Sequence, residues 1–384
     1  MKLVFPALSI VELSVIFAII VAAYTIPGGL SAAIKVDLIQ GILLLVGTFI
    51  LTYLAMSNGG LEHLKDLLLQ DDTMMKLIRP LKDDSVPWLG MIVGIPILGF
   101  YFWGNNQVLV QRVLTAKSID HGRKGILLVG FLTVLLIFII IFPAVIGAKL
   151  FPDLPKNDMI YPKLVIELMP IGLLGLMLAA MVAALTSTLS ALLNSVATLF
   201  TMDFYTKFKK DTTQKEQVYV GKIVSVIVLI SAVLWVPFVS KFDSLLKYYQ
   251  EMLTYIAPPV VAVFFLGVFW KRINKHGAFW GLMGGALAAI VTIISKVSFD
   301  VELLGDIHFL LKVPFYFVFS AIIIIVVSLL TKADEKEDIK DFIWTKKIYH
   351  EETKELEGVP FYKNFRFWSV VLIIFCFVIL FMFR

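Results

Sequence analysis

Long uninterrupted runs of apolar residues dominate this chain, and polar residues are concentrated in the stretches between them. Three such runs are 41–56 (GILLLVGTFILTYLAM), 125–148 (GILLVGFLTVLLIFIIIFPAVIGA) and 313–330 (VPFYFVFSAIIIIVVSLL). Each is apolar on every side and close to the roughly 20 residues that a helix needs to cross about 30 Å of hydrocarbon. The alternating pattern of membrane strands is absent from the sequence, so these runs predict helices and not a barrel.

The same pattern, followed along the whole chain, predicts about ten membrane-spanning helices. They lie near 8–26, 33–56, 86–110, 125–147, 170–205, 218–240, 244–269, 277–295, 309–331 and 367–383. The composition agrees, because 59% of the residues are apolar, only 16% are charged and the mean hydropathy is +0.89. These values lie outside the range of soluble domains. We therefore predict an all-α, multi-pass integral membrane protein with one transmembrane domain over residues 1–384.

Lysine and arginine residues in the connections predict the orientation. The basic stretches 112–124, 207–215 and 271–276 and the charged linker 332–366, which precedes the last helix, fall on one side of the predicted bundle. An excess of basic residues marks the cytoplasmic side of a membrane protein. We expect a plasma membrane protein, in a bacterium one of the inner membrane. The net charge of +5 then follows from topology, and no nucleic-acid partner is expected.

The first apolar segment could be mistaken for a secretory signal peptide. Against this reading, the segment is too long, contains Glu12, and continues through 28–40 into the next predicted span. Counting from the basic connections places Met1 outside, and we expect the chain to begin in the middle of a longer protein. Cys376 is the single cysteine, so an internal disulfide framework is excluded.

A run of small and hydroxyl-bearing residues, ALTSTLSALLNSVAT at 184–198, interrupts the apolar pattern. On a helix Ala184, Ser187 and Thr188 share one face, which can present two hydroxyls and a backbone carbonyl to one point. Oxygen ligands of this kind suit Na⁺, whereas the five histidines are scattered and form no transition-metal pattern. The structural alternative is a packing stripe whose hydroxyls bond back to the preceding turn.

Two isolated polar residues also need an explanation. Asp37 places a carboxylate at the mouth of a span, where it meets a cation or water, or pairs with Lys35 or a lipid headgroup. Gln250 faces the middle of a predicted span, and we expect Pro258 and Pro259 to break the regularity of its helix. A buried amide must find partners, and a sugar hydroxyl both donates and accepts. An interhelical hydrogen bond is the alternative for Gln250.

An aromatic run in ILGFYFWGNNQ (97–107) lies between two glycines. Phe102 and Trp103 follow Gly99 closely, a composition that suits a short unwound or bent segment. Flat rings in such a segment can stack on the face of a sugar. Packing of the same rings against neighbouring helices is the alternative.

Several long segments together resemble the sodium/glucose cotransporter branch of the sodium:solute symporters. They are 28–40, 107–118, 161–179, 193–210 and 265–285. The resemblance implies a LeuT-like inverted-repeat bundle of about fourteen helices, with the solute site near the membrane midplane. This chain matches the fourth core helix onward and the accessory helices at the C-terminal end. It is expected to lack the accessory first helix and core helices one to three.

The resemblance implies roles for the polar residues already identified. In this reading Ala184, Ser187 and Thr188 form half of the sodium site, Asp37 lies on the ion exit route, and Arg112 lines the inner vestibule. Arg112 needs no such role if it is a plain positive-inside anchor. The resemblance also implies solute contacts at Gln250, Gly99, Phe102, Trp103, Thr133 and Leu246.

Four of these solute positions depart from the sugar-transporting pattern. Close relatives carry a lysine where this chain has Thr133, a gate tyrosine at Phe102, an amide at Gly99 and an aromatic residue at Leu246. Each exchange removes a donor, an acceptor or a stacking plane. A hexose is therefore one expectation, and an inositol, another polyol or a differently substituted sugar is another.

The implied activity is sodium-coupled secondary active symport of a neutral solute by alternating access. The sequence has no Walker-type loop and no HExxH or GxSxG motif, so neither nucleotide-driven transport nor an intramembrane enzyme is favoured. No cofactor beyond the coupling Na⁺ is expected. Symport of a non-sugar solute and a non-transporting scaffold or truncated relative stay open, because the expected partner helix of the ion site is missing.

Overall fold

The computed structural model describes most of the chain. The described residues are 7–60, 62, 76–83, 86–154, 156–240, 242, 244–299, 301–305, 307–334 and 342–383, without the side chains of 24, 27–37, 59, 157, 247 and 297. The helices are α1 (Ile10–Ala55), α2 (Trp88–Phe100), α3 (Gln107–Leu114), α4 (Ile119–Leu150), α5 (Ile160–Leu168), α6 (Ile171–Leu199), α7 (Gln214–Val239), α8 (Leu245–Phe269), α9 (Lys275–Phe299), α10 (Phe309–Leu330), α11 (Lys346–Glu355) and α12 (Phe365–Met382). Over these residues the predicted all-α architecture is confirmed.

The described helices include nine segments long and apolar enough to cross a membrane. They are Leu38–Asn58, Trp88–Asn105, Ile119–Leu150, Ile171–Phe208, Gln214–Val239, Tyr248–Phe269, Lys275–Lys296, Phe309–Leu330 and Phe365–Met382. The remaining predicted span, 8–26, corresponds to a shorter apolar helical stretch, Ile10–Ala23. A multi-pass integral membrane protein is therefore confirmed.

The first two predicted spans are not separate helices in the structure. α1 runs without interruption for 46 residues, which at 1.5 Å per residue is about 70 Å. The predicted spans left residues 27–32 between them as a connection, but Gly28 and Gly29 each cost a helix only about 1 kcal/mol relative to alanine. Pro27, just before these glycines, costs an interior helix position about 3 kcal/mol, yet the backbone stays helical through it, and the following LSAAIKV contains no further glycine or proline.

The two prolines of α8 disturb its hydrogen-bond pattern without ending the helix. Pro258 and Pro259 lie inside a continuous helix, Leu245–Phe269. Each proline lacks the N–H that would bond to the carbonyl four residues earlier, so the carbonyls of Thr254 and Tyr255 lose their helical partners. Membrane helices tolerate such prolines where neighbouring groups compensate for the lost bonds.

Contacts along the chain group it into two compact units. Unit 1 contains Met1–Asp71 and Leu132–Leu245, and unit 2 contains Asp72–Phe131 and Leu246–Arg384. Both units are discontinuous in sequence, and the division falls inside α4 and at the start of α8. The single transmembrane domain expected from the sequence stays a prediction.

An apolar cluster in unit 1 holds α6 against α1 and α5. Its buried members are Leu51, Leu164, Val165, Met169 and Met177. A Cβ added at Gly47 would lie 2.6 Å from the sulfur of Met177, so α1 and α6 approach closely here. The Thr48 Oγ1 and Tyr161 hydroxyl lie 2.7 Å apart and add a polar bond between α1 and α5. These contacts fix the N-terminal half of α6.

Close glycine contacts pack α9 against α10 in unit 2. A Cβ added at Gly277 would lie 1.9 Å from Ser328 Oγ, and one at Gly281 would lie 2.1 Å from Ile324 Cγ1. Small residues four apart are a common device for bringing membrane helices together. Glycine is therefore needed at both positions for this packing distance.

The charged linker forms a helix over part of its length. Within α11, Glu352 pairs with Arg123 at the start of α4 and with Arg366 at the start of α12. The Arg366 guanidinium also lies 4.3 Å from the centre of the Tyr349 ring. This network anchors the linker to the first residues of α4 and α12, both in unit 2, whereas residues 335–341 lie outside the described part.

Candidate functional site

The predicted ion-binding residues lie on one face of α6 in unit 1. Thr188 Oγ1 donates a hydrogen bond to the Ala184 carbonyl at 2.9 Å, so two of the three predicted ligand oxygens are adjacent. Ser187 is half-buried, whereas Thr188 is exposed. Thr186 lies on another face, is buried, and donates to the Ala183 carbonyl at 2.9 Å. The Thr188 bond to the preceding turn is also what the packing alternative predicts, so the ion site at Ala184, Ser187 and Thr188 stays a prediction.

The polar face of α6 continues beyond the residues that the sequence argument used. Ser190 is 1% exposed, and its Oγ has no hydrogen-bond partner among the described residues. The Asn194 Nδ2 and Thr201 Oγ1 atoms, farther along α6 and the π-helical turn that follows it, are also buried without such a partner. In the sequence, the polar residues 187, 190, 194 and 201 are three, four and seven residues apart, which is the spacing of one helix face. Polar groups on this face are thus available to ligands or water.

The aromatic segment of unit 2 has the irregular backbone that its glycines predict. α2 passes at Phe100 into a π-helical turn, Tyr101–Asn105. Asn106 is extended, and its side chain accepts a hydrogen bond from the Val108 N–H at 3.0 Å, which starts α3. π-helical turns within α-helices are frequent at functional sites. A Cβ added at Gly99 would have no neighbouring atom within 4 Å, so space is open beside this turn.

Aromatic rings and one amide surround this turn. The Phe102 and Trp103 rings meet edge to face at 5.3 Å, and both are exposed. The ring of Phe100 meets that of Phe265 at 6.2 Å, which packs the end of α2 against α8. Sequence reasoning missed Asn105, whose Nδ2 is buried without a partner in the described structure.

Gln250 lies in the first two turns of α8, near the end of the span Tyr248–Phe269 and not at its middle. The helix begins at Leu245, so Gln250 is its sixth residue. Its backbone carbonyl accepts a hydrogen bond from Thr254 Oγ1 at 3.0 Å. Its half-buried amide forms no hydrogen bond with the described residues. An interhelical bond to those residues is therefore not what holds this side chain.

The other predicted positions are more dispersed. Leu246 is 62% exposed at the start of α8, and Thr133 is exposed on the part of α4 that belongs to unit 1. Arg112 lies half-buried in the last turn of α3. Asp37 belongs to α1, but its side chain lies outside the described residues. The structure thus groups Gly99, Phe102, Trp103, Gln250 and Leu246 in unit 2 and assigns Thr133 to unit 1.

A charged cavity in unit 2 was not anticipated from the sequence. It has a volume of about 680 Å³ and lies where α8, α9 and α10 meet the 301–308 connection. The Glu302 carboxylate pairs with Lys312 at 2.6 Å and with Lys296 at 2.9 Å. Hydrogen bonds from these two lysines hold the pKa of the Glu302 carboxyl below its usual value of 4.5, and the bond from Lys312 has the larger effect. Lys312 is 7% exposed, so the pair neutralises a buried cation.

Comparison with known proteins places the chain in a family. The sequence profile of the Sodium:solute symporter family matches residues 7–285. Sodium/glucose cotransporter 4 of Danio rerio is 32% identical over 390 residues, which cover 90% of this chain and 59% of that protein. Sodium/glucose cotransporter 1 of Sus scrofa is 33% identical, with 88% and 59% covered. Sodium/myo-inositol cotransporter 2 of Homo sapiens is 34% identical, with 89% and 57% covered.

Solved structures give the same fold. The substrate-bound, outward-open state of a Na⁺-coupled sialic acid symporter superposes with a TM-score of 0.69 at 22% identity, covering 86% of this chain and 68% of that one. The expected LeuT-like helical bundle is therefore confirmed. The chain spans about 59% of the length of the curated relatives it matches.

Proposed function

This chain belongs to the sodium:solute symporter family, and from that membership we propose sodium-coupled symport of a small neutral solute by alternating access. The solute we propose is a hexose or a related sugar or polyol. The carrying observation is the oxygen face of α6, where Thr188 Oγ1 lies 2.9 Å from the Ala184 carbonyl and Ser187 is on the same side. The names of the relatives, which include glucose and myo-inositol cotransporters, support this class of solute.

The back-bond of Thr188 is compatible with ion binding. A hydroxyl has one hydrogen and two lone pairs, so it can donate to the Ala184 carbonyl and still offer an oxygen lone pair to Na⁺. The packing alternative predicts the same back-bond, so the two interpretations differ in whether the exposed Thr188 hydroxyl also binds Na⁺. We propose that Ala184, Ser187 and Thr188 bind Na⁺, with the Thr188 oxygen offering its remaining lone pair to the ion.

The side chains of the π-helical turn and of the first turns of α8 have chemistry that suits a neutral solute. Asn105 and Gln250 supply amides that have no side-chain partner among the described residues. The exposed rings of Phe102 and Trp103 supply apolar faces, on which the C–H groups of a sugar ring can stack. Amides both donate and accept, as sugar hydroxyls do, and none of these four residues is charged.

The coupling follows from differential binding. Inward movement of one Na⁺ releases about 2.3 kcal/mol per 100 mV of membrane potential, which can drive uphill uptake of a neutral solute. Coupling requires that Na⁺ bind more tightly to the conformation that accepts solute, since a ligand shifts an equilibrium only by its differential affinity. We place that differential affinity at the Ser187 and Thr188 hydroxyls.

Uptake into liposomes under an imposed sodium gradient tests this proposal. Two proteins are compared: this chain, and a chimera in which the segment preceding the matched region of the Sus scrofa cotransporter is fused to Met1. We expect saturable, sodium-dependent uptake of glucose or myo-inositol, each competing with the other, in the chimera at least. Absence of sodium-dependent uptake from both proteins, after correct insertion is verified, would contradict the proposal.

Gln250→Glu tests the solute contact separately. The change keeps the side-chain size and adds a charge, so solute affinity should fall about tenfold or more while sodium binding without solute is retained. Gln214→Glu is the matched control, because Gln214 is exposed at the start of α7 in unit 1. Equal kinetics in the two variants would remove Gln250 from the solute site.

A further inference from the structure

Unit 1 also contains a pocket. It lies between α1, α6 and α7, at the end of α6 that leads into the basic connection 207–215. Its volume is about 270 Å³. Polar side chains that line it include Thr25, Asn194, Thr201, Gln217 and Lys222. It contains none of the predicted sodium or solute residues. We refer to it as the α1–α6–α7 pocket.

Hydrogen-bond donors in this pocket lack protein partners. Thr25 is 4% exposed and Thr201 is 5% exposed, and neither Oγ1 has a hydrogen-bond partner among the described residues. The Asn194 Nδ2 is likewise buried without a partner. Leaving such groups unsatisfied costs about 1–3 kcal/mol each, so a ligand or ordered solvent is needed here. The hydroxyls of Thr198 and Ser225 also line the pocket but already have partners. Thr198 donates to the Asn194 carbonyl and Ser225 donates to the Gly221 carbonyl.

The charge of the lining selects the class of ligand. Lys222 is exposed at the rim and forms no ion pair with the described residues, and no carboxylate lines the pocket. A cation would meet an ammonium without a compensating acid, whereas an anion would meet an ammonium, an amide N–H and two hydroxyl donors. Lysine, hydroxyl and amide donors are common ligands of phosphate oxygens.

We propose that the α1–α6–α7 pocket binds a phosphate group, donated to by Thr25, Asn194 and Thr201 and neutralised by Lys222. The rim carries two apolar side chains, Met202 at 51% and Val218 at 55% exposure, which suit the acyl chains of a phospholipid. A basic pocket between membrane helices is a known kind of site for anionic headgroups. A soluble phosphate has the same headgroup chemistry without the apolar contact.

Binding to the purified full chain in lipid-depleted micelles tests the proposal. Three probes are compared by native mass spectrometry and by the shift of the unfolding temperature: dioleoylphosphatidylglycerol, phosphate-free dioleoylglycerol, and inorganic phosphate. The test variant is Thr201→Val with Lys222→Gln, which removes one hydroxyl and the ammonium. The matched control is Thr206→Val with Lys215→Gln, because Thr206 bonds to the Met202 carbonyl and neither residue lines the pocket.

The expected result is retention of phosphatidylglycerol by wild type and control, with affinity at least tenfold lower in the test variant and no comparable binding of dioleoylglycerol. Pocket-dependent binding of inorganic phosphate alone would support the phosphate site and assign its source to a soluble ligand. Equal affinity of test and control variants, equal binding of the phosphate-free lipid, or binding of no probe would overturn the proposal. Lys222→Gln alone, at an exposed position, gives a variant whose folding is not at risk.

Discussion

The polar face of α6 and the charged cavity of unit 2 both place polar groups among apolar helices, but they satisfy them differently. In the cavity, Glu302 bridges two lysines. Nearby, the Tyr316 hydroxyl donates to Thr292 Oγ1 at 2.8 Å. Along α6 and its π-helical turn, Ser190 and Thr201 have no such partners among the described residues.

This difference separates structural polar groups from available ones. A buried polar group that is paired within its own unit stabilises that unit, and its removal is measured as lost stability. A buried polar group without a protein partner is stabilised by a ligand or by water, and its removal is measured as lost binding. Variants in the two regions should therefore change different observables.

Glu302→Gln should give the largest effect on stability. The change leaves the Lys312 ammonium, 7% exposed, without its nearest carboxylate. Removing one partner of a buried ion pair costs about 3–5 kcal/mol, and the partial exposure of Glu302 places our expectation near 3 kcal/mol. Thermal unfolding in detergent measures this cost, and solute-independent sodium binding should be unchanged.

Adding Lys312→Met to Glu302→Gln is the control for that result. With the buried ammonium removed as well, most of the lost stability should return, because an apolar side chain of similar length replaces the unpaired charge. If the double variant is as unstable as Glu302→Gln alone, an unpaired Lys312 is not the cause.

Thr188→Val should give the largest effect on sodium. It keeps the shape of the side chain and removes a proposed ligand oxygen, so sodium activation of uptake should weaken by about 1–3 kcal/mol, or roughly 5- to 150-fold. Thr186→Val is the matched control on the same helix, where the hydroxyl is buried and bonds to the Ala183 carbonyl. It should lower stability modestly and leave the sodium dependence intact. Equal sodium effects would argue for a packing stripe.

The pH dependence of stability should come in part from Glu302. Its pKa is lowered by Lys312 and then by Lys296 from the usual value of 4.5. A depressed folded-state pKa contributes stability above the unfolded pKa, and this contribution is lost as the pH falls through the folded pKa. We expect little change from this residue between pH 7 and about 5 and a decline below about 4.5. Unfolding scans of wild type and Glu302→Gln should differ in that acid decline.

The sequence predicted the helical architecture well, because apolar runs long enough for a membrane leave little choice of secondary structure. It failed where local signals compete with longer-range helix formation. The connection left at 27–32 between the first two predicted spans is helical within α1, and α8 continues through Pro258 and Pro259. Glycine and proline residues thus predict where a helix is weak and not always where it ends.

The parts of the candidate site that could be predicted are those formed by residues close together in the sequence. Ala184, Ser187 and Thr188 share a face through spacing alone, and the irregular turn after Gly99 followed from its composition. The charged cavity joins Lys296, Glu302 and Lys312 through helix packing that spacing does not specify. Missing partners, as at Ser190 and Thr201, become visible only when every neighbouring donor and acceptor is placed.

The smallest expected effect is an asymmetry within the paired region of unit 2. Tyr316 is fully buried, and its hydroxyl donates to Thr292 Oγ1, which itself donates to the Ala288 carbonyl at 2.9 Å. Tyr316→Phe removes a donor and leaves Thr292 satisfied, so we expect a loss near 0.6 kcal/mol, the average for interhelical bonds in membranes. Thr292→Val leaves the buried Tyr316 hydroxyl without its acceptor and should cost about 1–3 kcal/mol. Unfolding temperatures of the two variants in the same detergent measure this difference. Equal losses would mean that an unpaired hydroxyl carries no added penalty here, which would weaken the contrast drawn with the unpartnered hydroxyls of Thr25 and Thr201.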